Sequence, residues 1–174
     1  METGSKTGVV HLAILSLSVG AIIASFGSPA HHGLATSSGT SNYTALEEKN
    51  KALVLESFDT LFNQRDYVAA ERYWSPEYIQ HSAHIAPGRE GLFNLIKSIP
   101  PTLNYEPGTI VADGDFVIVH GRFSGFGQPV NWIAADIVRI EDGLLVEHWD
   151  VIQDEATQEQ SKSGLPMFGN KFPE

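Results

Sequence analysis

The sequence predicts an α+β domain, with helices in its first half and an antiparallel sheet in its second. Two observations carry this. Apolar residues recur at helical spacing as far as Pro100-Pro101 and alternate at the strand period from Tyr105 onward. Short turn sequences separate the alternating runs, so consecutive strands pair as a meander behind the helices.

Thr44 and Glu47 have the spacing of a capping box, and Leu46, Leu53, Val54, Phe58, Leu61 and Phe62 follow at helical spacing. The first helix is therefore predicted over 45–63. Asp66 suits the cap of a second helix, Tyr67 to Trp74, which must stop before Pro76. Tyr78-Ile79-Gln80-His81 reads as a short extended segment. After Pro87-Gly88, a third helix puts Leu92, Leu95, Ile96 and Ile99 on one amphipathic stripe, and Pro100-Pro101 ends it. Strands are predicted over 105–111, 116–125, 130–140 and 144–153. Their turns are Asp113-Gly114-Asp115, Gly127-Gln128-Pro129 and Glu141-Asp142-Gly143, the last with Asp-Gly hairpin chemistry. Gly164 to Gly169 is expected to pack back on the domain.

The chain has 174 residues, which suits one domain plus termini. Residues 1–30 read as an export segment: Lys6, an apolar run from Val9 to Phe26, then small residues ending at Ser28-Pro29-Ala30. A cleaved signal peptide, and so a secreted or exported protein, is the first reading; an uncleaved membrane anchor is the second. The run is diluted by Gly and Ser and is short beside the roughly 20 residues of a membrane span. Residues 31–43 read as a flexible linker, 44–160 as the domain and 161–174 as a tail. Asn42-Tyr43-Thr44 fits a glycosylation acceptor, and the His31-His32 pair has no further ligand nearby.

The formal charge of −10, with only 11 Lys and Arg, excludes a nucleic-acid partner. With no cysteine, thiolate catalysis, thiolate metal sites and disulfides are excluded. No Gly-x-Ser-x-Gly elbow, phosphate loop or His-x-Glu-x-x-His spacing occurs, so nucleophilic hydrolysis and a metal site are not expected.

Three segments, in their order and spacing, resemble the SnoaL-like polyketide cyclase family of the NTF2-like superfamily. They are Tyr78-Ile79-Gln80-His81-Ser82 with the Gly88-x-x-Gly91-Leu92 helix start, Ala135-Asp136-Ile137-Val138-Arg139-Ile140 with Glu141-Asp142-Gly143, and Glu147-His148-Trp149-Asp150-Val151. The resemblance covers about residues 46 to 160. It implies a cone-shaped barrel, three N-terminal helices packed on a curved, mainly antiparallel sheet, around an apolar pocket. It further implies a homodimer through the sheet, a small apolar or polyketide-like ligand, and no cofactor or metal. The reaction it implies is an aldol-type ring closure in which an aspartate moves a proton next to a carbonyl. The same fold also hosts binding modules, so a non-catalytic ligand-binding or dimerisation domain is the alternative. An epoxide-hydrolase reading needs an Arg two residues before the strand Asp, where this chain has Ala134.

Asp136 is the leading catalytic candidate. It stands mid-strand among apolar neighbours, where burial raises a carboxyl toward neutral proton transfer, and it matches the family's acid/base position. A structural ion pair with Arg122 or Arg139 is the competing reading. His120 is the next catalytic candidate; alternation puts it with Phe116, Ile118 and Arg122, and strand pairing brings His120 or Arg122 toward Asp136. His148 and Asp150 share one face of the last strand, as a catalytic pair, with Glu147 and Trp149 on the other. Trp132 shares the Asp136 face and is expected to touch substrate, as are Tyr78, Arg122 and His81, the last standing where the family places a histidine at the pocket mouth. His84 falls in a loop just beyond.

Overall fold

The computed structural model describes residues 38–173. The export segment at 1–30 and the start of the linker lie outside them. Helix α1 runs Ser38–Phe58 and continues as one π-helical turn, Asp59–Asn63. Residues 38–43 are therefore helical rather than linker, and Thr44 and Glu47 stand within the helix instead of opening it. Glu47 accepts from the Gly114 backbone N–H at 3.4 Å, and the buried Asn50 amide donates to the Gly114 carbonyl at 3.0 Å. Both tie α1 to a strand turn.

Helix α2 is only Tyr67–Ala70, capped as expected by Asp66, whose carboxylate accepts from Ala69 N–H at 2.9 Å. The chain leaves the helix well before Trp74, which opens strand β1, Trp74–Gln80. Pro76 is accommodated because β1 is an edge strand. Helix α3, Gly88–Ser98, buries Leu92, Phe93 and Ile96 on its apolar stripe. Its last carbonyls are satisfied by Arg65, whose guanidinium donates to Ile96 O at 2.7 Å, Ile99 O at 3.0 Å and Pro100 O at 3.2 Å.

The remaining strands are β2 Asn104–Asp113, β3 Phe116–Ser124, β4 Trp132–Glu141 and β5 Leu144–Asp154. The sheet order is β1-β5-β4-β3-β2. β2 to β5 form the expected antiparallel meander, while β1 adds in parallel beside β5. The β4–β5 turn places Asp142 at φ 51° and Gly143 at φ 77°, the left-handed pair of a type I′ hairpin. At the free edge of β2, the Asn63 side chain pairs with Tyr105 as a strand would, donating to its carbonyl at 3.0 Å and accepting from its N–H at 2.8 Å. Among the described residues no helix is long and apolar enough to cross a membrane.

The concave face of the sheet and the helices enclose one core, in which Val54, Leu61, Trp74, Val117, Val119, Val138 and Leu145 are almost wholly buried. Each contributes about 1.5–3 kcal/mol of apolar burial. An aromatic layer crosses it. Phe58 and Phe62 meet Tyr105 edge-on with centroids 5.5 Å away, and Phe62 meets Phe123 at 5.4 Å. On the convex face, the tail packs back as expected. Phe168 lies under the Arg122 guanidinium at 4.7 Å and beside His120 at 5.7 Å.

Gly121 on β3 makes the aromatic layer possible. A methyl group there would fall 2.5 Å from the Tyr105 ring, which is buried and held by three other aromatic rings. Gly121→Ala should lower stability by about 1–3 kcal/mol, the range for overpacking a filled core. Urea unfolding followed by circular dichroism measures it, and an unchanged midpoint would contradict this packing.

Candidate active site

Alternation along β4 and β5 builds the site. β4 turns Trp132, Asp136, Val138 and Ile140 toward the helices, and β5 turns His148, Asp150 and Ile152 the same way. The hairpin register pairs Asp136 with Asp150 and Val138 with His148. Asp136 and His148 are thus diagonal neighbours, a separation long side chains can span. His148 Nε2 lies 3.1 Å from Asp136 Oδ1.

β1 completes the arrangement from the other side of β5, where Gln80 pairs with His148. The Gln80 carbonyl oxygen accepts from the Ser82 backbone N–H at 2.9 Å, which fixes the amide's orientation. The same oxygen faces His148 Nδ1 at 2.9 Å, so Nδ1 must carry a hydrogen. His148 Nε2 and Asp136 Oδ1 then share one proton: either an imidazolium beside a carboxylate, or a neutral imidazole beside a carboxylic acid.

Asp136 and His148 are 4% and 6% exposed, so water screens this pair little. Burial pushes the Asp136 carboxyl above its ordinary range. His148 opposes the shift by hydrogen bond and charge, and the neighbouring Asp150 adds to it. Among the described residues, Asp136 Oδ2 has no hydrogen-bond partner.

Asp136, His148 and Asp150 open on a cavity of about 80 Å³. The helices supply apolar wall from Phe58, Phe62, Leu92 and Ile96, the sheet adds Trp132 and Phe123, and Tyr78 and Trp74 reach it from β1. Ser82 and His84 line it too, His84 leaning on Trp132 with centroids 5.3 Å apart. Burial holds the Tyr78 hydroxyl in its protonated form, with its pKa well above the usual value.

Of the sequence candidates, Asp136, His148, Asp150, Trp132 and Tyr78 meet at this cavity. Three others do not. His120 pairs across the strands with Ala135, and the residue opposite Asp136 is Val119, so His120 points to the convex face. Arg122 shares that face, where it donates to the fully buried Glu155 carboxylate at 2.5 and 3.1 Å and lies 3.6 Å from Glu106. His81 is convex as well. It stacks on Trp149 at 4.8 Å and lies 2.9 Å from Glu147, which Arg139 also binds. Asp136 is therefore paired with neither arginine.

Gln80 is the site residue that sequence reading passed over. The signal was present, since alternation from Tyr78 puts Gln80 on the cavity side and His81 opposite. Among the described residues, no three His, Asp or Glu side chains gather as metal ligands.

Residues 54–148 match the family model of the SnoaL-like domain. No curated protein matches the chain. Among solved structures, AclR from Streptomyces galilaeus, a candidate hydroxylase, is 29% identical with TM-score 0.51, over 62% of this chain and 90% of its own. A candidate SnoaL-like polyketide cyclase from Jannaschia sp. CCS1 is 20% identical with TM-score 0.53, over 62% of this chain and 88% of its own. An NTF2-like protein of unknown function from Cytophaga hutchinsonii is 16% identical with TM-score 0.52, over 60% of this chain and 89% of its own. These last two likenesses concern the fold alone. The family match spans over half of the 174 residues and takes in Tyr78, Gln80, Asp136 and His148. With helices packed on a curved, mainly antiparallel sheet as in its NTF2-like structural neighbours, the chain belongs to the SnoaL-like domain family.

Proposed function

We propose that this domain is a proton-transfer enzyme of the cyclase or isomerase type, acting on an apolar ketone without a cofactor. The observation that carries the reading is the Asp136–His148 pair in an apolar cavity, with Asp136 Oδ2 left unpartnered. Asp136, as carboxylate beside imidazolium, takes a proton from the carbon next to a carbonyl through Oδ2. The C–H electron pair moves into the C–O unit and leaves an enolate. Its carbon attacks a second carbonyl carbon of the same folded molecule, and the new alkoxide recovers the proton from Asp136. One carbon–carbon bond forms and no atom is lost. Gln80 holds His148 by Nδ1, so that Nε2 stays turned to the carboxylate. The apolar walls fold the substrate so that its reacting carbons meet.

Hydrogen–deuterium exchange at the α-carbon of 1-tetralone, a bicyclic aryl ketone, isolates the first step. The wild-type chain should accelerate exchange, and Asp136→Asn should lower the enzymatic rate by a factor of about 100 to 10,000. Binding of the ketone with no exchange would return the cavity to the ligand-binding alternative.

The pH profile gives an independent check. The base form of Asp136 is lost as pH falls through its folded pKa, so the acid limb should lie above the ordinary carboxylate value of 3.8. His148→Gln removes the hydrogen bond and charge that favour the carboxylate and should move the limb to higher pH. Asp150→Asn removes a repelling charge and should move it lower. Limbs that shift together, or not at all, would assign the titration to another group.

A further inference from the structure

The Asp136–His148 pair does not use up the polar groups around it. Among the described residues, four buried side-chain atoms lack a hydrogen-bond partner: Trp74 Nε1, Gln80 Nε2, the Tyr105 hydroxyl and Asp136 Oδ2. Leaving such an atom dry destabilises the fold, and folded domains carry few of them. Trp74, Tyr78 and Asp136 line the same cavity. Gln80 binds the histidine that binds Asp136. The Trp74 and Gln80 side chains both approach the Tyr78 hydroxyl without closing a hydrogen bond to it, and the Asp136 charge reaches Tyr78 and Tyr105.

The chemistry of the set is lopsided. An indole N–H and an amide NH₂ can only donate, and only Asp136 Oδ2 is a dedicated acceptor. Trp74 is 1% exposed, so solvent does not supply the missing acceptor from outside. A surplus donor on the wall of an apolar cavity calls for a ligand oxygen with free lone pairs on a flat hydrocarbon body. Asp136, whose Oδ2 is free to take a proton, lines the same cavity.

We infer that the cavity contains a carbonyl-oxygen subsite, in which the Trp74 indole N–H donates to the oxygen of a bound ketone while Asp136 Oδ2 serves the adjacent carbon. The choice of a ketone as ligand rests on the function proposed above. The subsite adds a donor that strengthens its hold as the carbonyl becomes an enolate, which is where a preorganised N–H stabilises a transition state. Trp74 and Asp136 thereby divide the ligand, one holding oxygen and the other carbon-bound hydrogen.

The test is binding of 1-tetralone against tetralin, the same ring system without the oxygen, to the full chain. Wild type should prefer the ketone about tenfold, the factor carried by about 1.4 kcal/mol of hydrogen bonding. Its carbonyl stretch should shift to lower frequency in difference infrared spectra. Trp74→Phe keeps an aromatic ring but no N–H; it should abolish the preference and return the stretch toward its value in an apolar solvent. Should that variant not fold, the wild-type chain with ¹⁵N-labelled indoles decides, because the Trp74 Nε1–H resonance should move with 1-tetralone and stay with tetralin. A shift that survives Trp74→Phe, an indole resonance indifferent to the ketone, or no binding of 1-tetralone overturns the subsite. Trp74-dependent binding with no Asp136-dependent exchange removes the proposed reaction and leaves the subsite. Asp136-dependent exchange with a carbonyl frequency indifferent to Trp74 does the reverse.

Discussion

Pairing of Asp136 with Asp150 across β4 and β5 decides which side chains of the sheet face the cavity. Side chains alternate along a strand, so a slip by one residue would turn Asp136 to the convex face and bring Ala135 or Ile137 inward. Two devices guard against that. The Asp142-Gly143 turn closes the hairpin in a geometry that matches strand twist. An irregularity between Arg139 and Ile140 then resets the phase so that Leu145 joins the core while His148 and Asp150 stay inside. On the outer face the same register brings Arg139 opposite Glu147, and that pair closes at 2.9 Å.

The helices contribute through backbone satisfaction as much as through apolar burial. Asn63 occupies the open edge of β2, Arg65 covers the carbonyl end of α3, and Asn50 holds the β2–β3 turn. Each is a polar side chain from the first helical stretch or the link just after it. Together they fix the helical wall of the cavity against its sheet wall. The residues that shape the pocket, Phe58 and Phe62, lie in that same stretch and straddle the passage from α-helix to π-turn. One added residue per turn rotates the following side chains.

Local patterns made much of this legible. The stripe of α3, the Asp66 cap, the period-two strands and the Asp142-Gly143 turn all follow from neighbouring residues, and each appears where the sequence puts it, within a residue or two. Asp136, His148 and Asp150 were readable for the same reason, since a tight hairpin joins their strands. His120 was not. Seven residues, 125–131, join β3 to β4, and a connection that long does not set register, so alternation grouped His120 correctly with Arg122 but left its phase against Asp136 open. The parallel docking of β1 on β5 is a non-local event, which hid the bond from Gln80 to His148. The early start of α1 has a similar cause. Ser, Gly and Thr are weak helix formers taken singly, so composition reads as linker where the chain is helical.

The buried carboxyl of Asp136 also couples the fold to the solution's supply of protons. Its folded pKa is raised above its ordinary value of 3.8, so between those two values the folded chain holds a proton that the unfolded chain releases. Folding is a proton-uptake reaction in that window. The stabilisation is complete below 3.8 and is lost as pH climbs through the folded pKa. A chain carrying a net charge of −10 gains compactness from acid for a general reason as well, because protonation relieves its self-repulsion. The two effects have the same sign. The buried carboxyl and the charge of the whole chain therefore both make the folded state draw stability from protons.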